Sequence, residues 1–450
     1  VQEGDPNRTG ASPHPAPDLS RGPAWAWRDP FLDVIRSTPL IDGGRNIYLG
    51  TQEGRVWSFS PDGVVRWAYT SHRGPMPAVP SIMGGHLFGN TASGVVLALD
   101  LRTGQEKWAA QASPAGASGD TACLLALNGT VVSAARRDPA ADRNGMVVAL
   151  GAEDGSRRWT FNLTWPTFNF QASSPGDGTV VFQDHFGGVY RLRLADGGLL
   201  WESGRRDRQP DWFTTGAAVV GPNGLVYSVS NYYGRMGIVH AYRLGDGAFA
   251  WQLDVGMEAN QAVAVGRLAG HGRLALVAGV GENPGYPVLS ALPAWLPTPV
   301  KQGIHALSVW AAGRPTWLWR TRVLEARVLA LDAATGERIW EYTPPPFTRP
   351  SCEGDEAMLG PRLDAKKLDL ICLPDNFAQA VIGGDGTAYL GHQDGRLYAI
   401  RDSDGDGRIG DGEVSSHYFG AAFQGSQAIA PGMLAVAPCG GGLYVWRTPP

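Results

Sequence analysis

The feature that most constrains this chain is a segment that returns. Residues 95–108 read VVLALDLRTGQEKW and residues 328–340 read VLALDAATGERIW. Both hold Ala-x-Asp-x-x-Thr-Gly-x-x-x-Trp, at Ala98, Asp100, Thr103, Gly104 and Trp108, and at Ala330, Asp332, Thr335, Gly336 and Trp340. An alternating apolar strand runs into a turn whose glycine takes a positive φ, and a second strand carries a tryptophan four positions past that glycine. The last spacing recurs at Gly63/Trp67, Gly155/Trp159, Gly197/Trp201 and Gly247/Trp251. Such a repeat, with units of about 40–50 residues, belongs to a solenoid, a propeller or an array.

The chain divides into eight units. Most show short β-type runs separated by turns rich in Gly, Asn and Asp. The last unit, ending in LYVWRT, is one strand short. The first 22 residues, rich in Pro, Gly, Ser and Asp, read as a poorly ordered arm or a surface tail, and the PAWAWR run at 23–28 alternates like a strand without a partner. Joining that strand to the incomplete last unit closes a ring and removes an open sheet edge. The expected architecture is all-β: an eight-bladed propeller of four-stranded blades over residues 23–450, closed by its N-terminal strand. Its sixth unit is interrupted at 282–322 by a segment rich in Pro and Trp. Residues 305–319 there (HALSVWAAGRPTWLW) look like an extra hairpin.

This pattern resembles the tryptophan-docking repeats of the PQQ-like propeller family, which includes quinoprotein alcohol dehydrogenases and the outer-membrane assembly factor BamB. The lead-in TAYLGHQDGRLYA at 387–399 has the same look. The resemblance implies that Trp67, Trp108, Trp159, Trp201, Trp251 and Trp340 pack between neighbouring blades as core. It is weak for function, because the shared residues are structural. The family's dehydrogenases carry two adjacent cysteines over the quinone and a Glu, Asn and Asp set around its calcium. No Cys-Cys occurs here, and that set is not recognisable, so PQQ is not expected.

The most specific chemical signal is Asp402-Ser-Asp404-Gly-Asp406-Gly-Arg408-Ile-Gly-Asp-Gly-Glu413. It follows the twelve-residue calcium loop of an EF-hand. Asp402, Asp404 and Asp406 stand at positions one, three and five, with a glycine at six. The Arg408 carbonyl stands at seven and Glu413 is the bidentate twelfth ligand. No helices flank it, so the loop replaces a turn and the expected Ca²⁺ is a structural staple. The GxGxxG inside it opens no helix and is acidic, which excludes a phosphate site.

No HExxH and no nucleophile elbow is present. Three loops depart from the plain repeat: Arg136, Arg137 and Asp138; Asp184 and His185; and Asn231, Tyr232, Tyr233 and Arg235. They are expected to line one mouth of the ring, unless they are ordinary loop variation.

A net charge of −4 with no basic cluster excludes nucleic acid as a main partner, and no apolar run is long enough to span a membrane. Sequons at Asn7, Asn128 and Asn162 fit a secreted or lumenal glycoprotein, periplasmic if bacterial. Of the four cysteines, Cys352 and Cys372 flank a Pro-rich loop and are the expected disulfide. Cys123 reads as a buried thiol, and whether it pairs with Cys439 stays open. The functional expectation is a non-catalytic, calcium-stabilised binding or scaffold propeller with a protein or glycan partner. The alternative is an enzyme, PQQ-dependent or other, with its site at the propeller axis.

Overall fold

Six blades share the same local event. A strand of small and branched apolar residues meets a glycine turn, reverses, and delivers a tryptophan to its outer edge. In the computed structural model the 95–100 strand (VVLALD) pairs with the 106–111 strand (EKWAAQ), setting Ala98 opposite Trp108. Val328 to Trp340 repeats this, with Ala330 opposite Trp340. The structure describes residues 8–448 except 77–78, 117–122, 139, 141–143, 205–212, 233–235, 286–291, 294, 312–322, 349–350, 366–370 and 373–375.

Eight antiparallel sheets form a ring, an eight-bladed propeller. Blade 1 comprises Leu40–Ile41, Ile47–Gly50, Arg55–Phe59 and Val65–Thr70, from the axis outwards. The other blades follow in chain order. Blade 4 has three strands, with an isolated bridge from Ser173 to Val181 at its inner edge. Blade 8 takes Ala428–Ala430, Met433–Val436 and Gly442–Arg447 from the C-terminus and Trp25–Arg28 from the N-terminus. Trp25 stands opposite Val445 and Arg28 opposite Gly442, so the expected closure is present.

The tryptophans hold the seams. A Cβ placed on Gly104 would fall 2.5 Å from the Trp67 ring, and on Gly155 2.6 Å from Trp108. Trp159, Trp201 and Trp251 cover Gly197, Gly247 and Gly336 in the same way. Each indole also donates to a carbonyl beside the turn it covers: Trp67 to Leu101 at 3.2 Å, Trp108 to Ala152 at 2.9 Å, Trp159 to Leu194 at 2.8 Å. Burying an indole requires a partner for its N–H. Trp25 makes the same contact on Gly63 and donates to Pro61 at 2.9 Å, which welds blade 8 to blade 1. The Gly-x-x-x-Trp spacing does not contain Trp25, because the residue four positions before it is Arg21 and not a glycine.

Two expectations are corrected. Residues 8–12 do not lie on the surface. Arg8 is fully buried, donating from Nε to the Ala172 carbonyl (2.5 Å) and from Nη2 to that of Leu124 (2.8 Å). The Thr9 carbonyl accepts from Val265 N (2.6 Å) and the Gly10 carbonyl from Ile382 N (2.7 Å). These partners stand at the inner edges of blades 3, 4, 6 and 7. Five consecutive residues reach all four only from the axis. Gly10 (φ 67°) fits there because a Cβ would meet Ala264 and the Ala380 carbonyl. Composition marked this stretch as loose, yet unpaired inner strands offered it backbone partners.

The second correction concerns residues 305–311, which belong to helix α1 (Thr298–Ala311), not a hairpin; the rest of that stretch, 312–319, lies outside the described residues. α1 packs on helix α2 (Asp355–Asp364), which stands between blades 6 and 7.

Candidate metal centre and binding faces

Antiparallel pairing sorts the connections. Within a blade, the first-to-second and third-to-fourth turns emerge on one face of the ring, here the turn face. The second-to-third loops and the links between blades emerge on the other, the loop face.

The 402–413 loop is the third-to-fourth turn of blade 7. It joins the Arg396–Ile400 and Val414–Tyr418 strands. Carboxylate oxygens of Asp402, Asp404 and Glu413 lie within 4.8 Å of one another. Gly405 (φ 75°) and Gly407 (φ 80°) turn the chain sharply. Asp402, 1% exposed, accepts from Gly405 N (2.8 Å) and Gly407 N (3.0 Å). Glu413 accepts from Ser403 and Gly410 backbone N–H groups, which hold its carboxyl down to about 2. The loop therefore gathers three of the predicted carboxylates. Asp406 is exposed and accepts from Arg408 N (2.7 Å), outside that cluster.

The loop also replaces the glycine turn on which Trp340 would dock. Trp340 is 1% exposed, and its Nε1 has no hydrogen-bond partner among the described residues. Other contacts close this seam. His271, on the first turn of blade 6, meets Asp402 Oδ2 at 2.7 Å, and a Cβ on Gly270 would fall 2.8 Å from Gly405 N. Sequence reasoning missed His271, since only the ring brings it to a loop 131 positions away. Beside the loop is a cleft of about 400 Å³ between residues 16–19 and blade 7, with Asp18, Asp385, Arg401 and Glu413 on its walls. Arg401 is committed to Asp385 at 2.9 Å.

The three irregular loops do share the loop face. Asp184, buried, accepts from Phe186 N, Gly188 N and the Tyr190 hydroxyl (2.9 Å), which is a turn-closing role. His185 Nδ1 lies 2.9 Å from the Thr214 carbonyl among Phe168, Phe186 and Phe213, and burial lowers its pKa. Asn231, fully buried, holds Asn260 and Ala259 N. Asn144 Oδ1 accepts from Arg137 N and Asp138 N, and Arg137 reaches the Leu163 carbonyl. Arg136 is half-buried. Tyr232 is half-buried, while Tyr233 and Arg235 lie outside the described residues. These groups mostly knit the loops together.

The expected Cys352–Cys372 bridge is corrected. Cys372 pairs with Cys439, with Cα atoms 5.9 Å apart, and Cys352 is a buried free thiol donating to the Cys372 carbonyl at 3.2 Å. Cys123 is a buried thiol as read. All three sulfurs near the bridge share one pocket with Ile35 and Ala422. Closure of the ring brings blade 8 against the link between blades 6 and 7, so proximity along the chain does not choose the pair. The pocket continues into a fully buried ion pair, Arg362 with Asp355 at 2.9 Å, and Arg362 donates to the Cys439 carbonyl at 2.7 Å. The sequons Asn128 and Asn162 are exposed; Asn7 lies outside the described residues.

The sequence matches no curated protein. Among solved structures, BamB from Moraxella catarrhalis is 15% identical, with a TM-score of 0.58, over 95% of this chain and 97% of that one. A europium-containing methanol dehydrogenase is 12% identical, with a TM-score of 0.65, over 100% and 97% of the two chains. The quinohemoprotein alcohol dehydrogenase of Comamonas testosteroni is 13% identical, with a TM-score of 0.61, over 98% and 79%. At such identities the likeness is one of fold. The profile for the outer membrane protein assembly factor BamB matches residues 24–137 and 121–342. With more than half its length matched, and with six of the blade seams closed by a docked tryptophan, the chain belongs to the family of outer membrane protein assembly factor BamB.

Proposed function

We propose that this propeller is a non-catalytic binding or scaffold protein, stabilised by Ca²⁺, that holds a protein or glycan partner in an extracellular, lumenal or envelope assembly. The observation that carries this reading is the occupied axis. Arg8 and Thr9 fill the place where an axial site would lie, with the Arg8 guanidinium buried and bonded to two carbonyls. Without an adjacent cysteine pair either, the residues there do not fit a quinone. The surfaces left for a partner are the two faces of the ring. The family's role in outer membrane protein assembly supports a place in the envelope.

The 402–413 loop fits calcium. Three hard carboxylates converge, and without a cation they repel one another. Asp402, Asp404 and Glu413 would hold the ion, with Asp406 and the Arg408 carbonyl completing the set. Its role is mechanical: it stiffens the seam between blades 6 and 7 where the tryptophan dock is missing. Exposed Asn128 and Asn162 would carry glycans if the chain matures in a glycosylating compartment.

The test is metal analysis of unstripped protein, with an absorption spectrum and mass analysis of released small molecules. About one calcium per chain, no chromophore, and a melt that drops in chelator support the reading. Glu413→Gln should abolish that drop. A released quinone would overturn the non-catalytic reading, and a melt unchanged by chelator would overturn the calcium.

A further inference from the structure

Strand register fixes the place of each docked tryptophan. In blade 1 the row across the second, third and fourth strands is Tyr48, Ser58, Trp67, and in blade 5 it is Tyr227, Ala241, Trp251. In both blades the tyrosine hydroxyl and the indole N–H donate to one carbonyl of the next blade. In blade 1 that carbonyl is Leu101, at 3.3 and 3.2 Å. In blade 5 it is Ala333, at 2.8 and 3.3 Å. Blade 7 carries the same row as Tyr389, Ala399, Ser415. An exposed serine stands where the indole would.

Nor does blade 8 offer the turn on which an indole would lie. Its third strand comes from the C-terminus and its fourth from the N-terminus, so no third-to-fourth turn joins them. Residues 16–19 pass beside blade 7 instead, and the cleft of about 400 Å³ between them has Tyr389, Ala399, Val414 and Ser415 in its lining. Deeper in, this seam is packed. Leu19 is buried against Tyr389 and Ala399, and His417, on the same strand face as Ser415, meets the Trp446 ring at 5.1 Å. Tyr389 is only 5% exposed, yet its hydroxyl makes no bond to blade 8 among the described residues. The polar groups nearest to it, Asp385, Thr387, Arg401 and Asp18, all line the cleft, so the hydroxyl faces into it. Burial, and then the charge of Asp385, push its pKa up to about 12, so it stands as a donor at neutral pH.

We propose that this cleft binds a tryptophan side chain of a partner protein, presented in a segment that carries lysine or arginine beside it. The proposal rests on the reading of the propeller as a binding protein and names the chemistry of its partner. The partner supplies in trans the two groups that close the other seams: an indole beside Ala399 and Ser415, and a backbone carbonyl for the Tyr389 hydroxyl. A free indole has no such carbonyl, which favours a peptide segment. Leu19, Ala399 and Val414 offer the ring apolar surface, and an indole in a desolvated pocket is the kind of anchor that dominates an interface. Asp18, Asp385 and Glu413 line the walls against Arg401 alone, and Arg401 is already paired with Asp385 at 2.9 Å. Acidic walls favour a cationic segment and repel an acidic one.

The experiment is calorimetric titration of the full chain with the blocked peptide Gly-Lys-Trp-Lys-Gly, with its Ala-for-Trp and Glu-for-Lys versions, and with tryptamine. Calcium is held at one concentration throughout, because Glu413 borders both the cleft and the 402–413 cluster. The expected result is binding of the first peptide, at least about tenfold tighter than either altered peptide or tryptamine. Ser415→Trp supplies the indole in cis. It should weaken the peptide at least about tenfold while the melt stays level or rises. Should that variant melt lower, Tyr389→Phe decides, since it keeps the ring and drops the hydroxyl; it should bind at least about threefold more weakly. Absence of binding, equal binding of either altered peptide, or an affinity unchanged by the deciding variant overturns the proposal. Tryptamine bound as tightly as the peptide would assign the cleft to a small amine and overturn it too. These failures leave the scaffold reading standing, because that reading falls with a released quinone and this one with the cleft.

Discussion

The Trp67 ring covers Gly104 so closely that a Cβ there would sit 2.5 Å from Cε3. The glycine is needed twice, for its φ of 73° and for the indole that the neighbouring blade lays on it. Gly224 has a similar φ of 76° but nothing within 4 Å of its virtual Cβ. Gly224→Ala should therefore cost about 1 kcal/mol, the backbone penalty alone. Gly104→Ala should cost roughly 1–3 kcal/mol more, because a docked ring must shift. Paired urea melts check this, and equal losses would show that the dock is not tight.

The axial segment predicts an effect that composition would not suggest. Arg8→Met leaves the Ala172 and Leu124 carbonyls without their donor and should cost about 2–4 kcal/mol. Removing residues 1–14 while keeping the Trp25–Arg28 strand should destabilise at least as much. A truncated chain that melts with the full one would show that the hub adds nothing.

The fold was legible because the repeat is local. Gly and Trp four positions apart state their geometry in one short window, and the orphan PAWAWR strand states that the ring must close. What lay beyond reach was long-range. Arg8 is an unremarkable surface residue by type, and only eight inner edges facing one axis make it a buried one. Cys439 is 67 positions from Cys372 and meets it because blades 7 and 8 are neighbours across the loop face. The 402–413 loop could be read as a loop, but not the partner that meets it: His271 has no motif. α1 was misread because its Trp, Val and Leu suit strand and helix alike, and short apolar runs do not discriminate.

The disulfide assignment gives a further test. Cys372→Ser and Cys439→Ser should both remove the bridge and lower the melt, by about 4 kcal/mol on a loop-entropy estimate. Cys352→Ser should leave it in place. Peptide mapping without reductant reads the connectivity directly, and a Cys352–Cys372 peptide would reverse the correction.

The pH profile should contain two opposed contributions. His240 is buried, which lowers its pKa to about 4. As pH falls from about 6.5, the unfolded chain takes up a proton that folded His240 refuses, so stability falls towards pH 4 by up to a few kcal/mol. Asp29 is raised to about 7 by burial and by the hydrogen bond and charge of Asp33. Between about pH 4 and 7 the folded chain keeps that proton and the unfolded chain does not, so stability falls as pH rises. Relative to wild type, His240→Gln should gain as pH is lowered through this window. Asp29→Asn should gain as pH is raised through it. Parallel curves for variant and wild type would remove the assignment.

The N-terminal segment supplies both the hub and the last rim strand: Thr9 hydrogen-bonds inside the ring, and Trp25 pairs with Val445 at its edge. Residues 25–28 thus find their strand partner only once blade 8 has been made, although the partners of residues 8–10 come earlier, in blades 3, 4, 6 and 7. A chain emerging from its N-terminus cannot finish any circular array early. It must persist as an open stack of blades with a bare edge at each end, exposed to proteases and to other strands. Closing so long a loop adds little entropy cost beyond a short one, so the delay is kinetic. The finished ring, conversely, has no free end from which to unravel, since pulling the N-terminus loose must breach its core and its seam together.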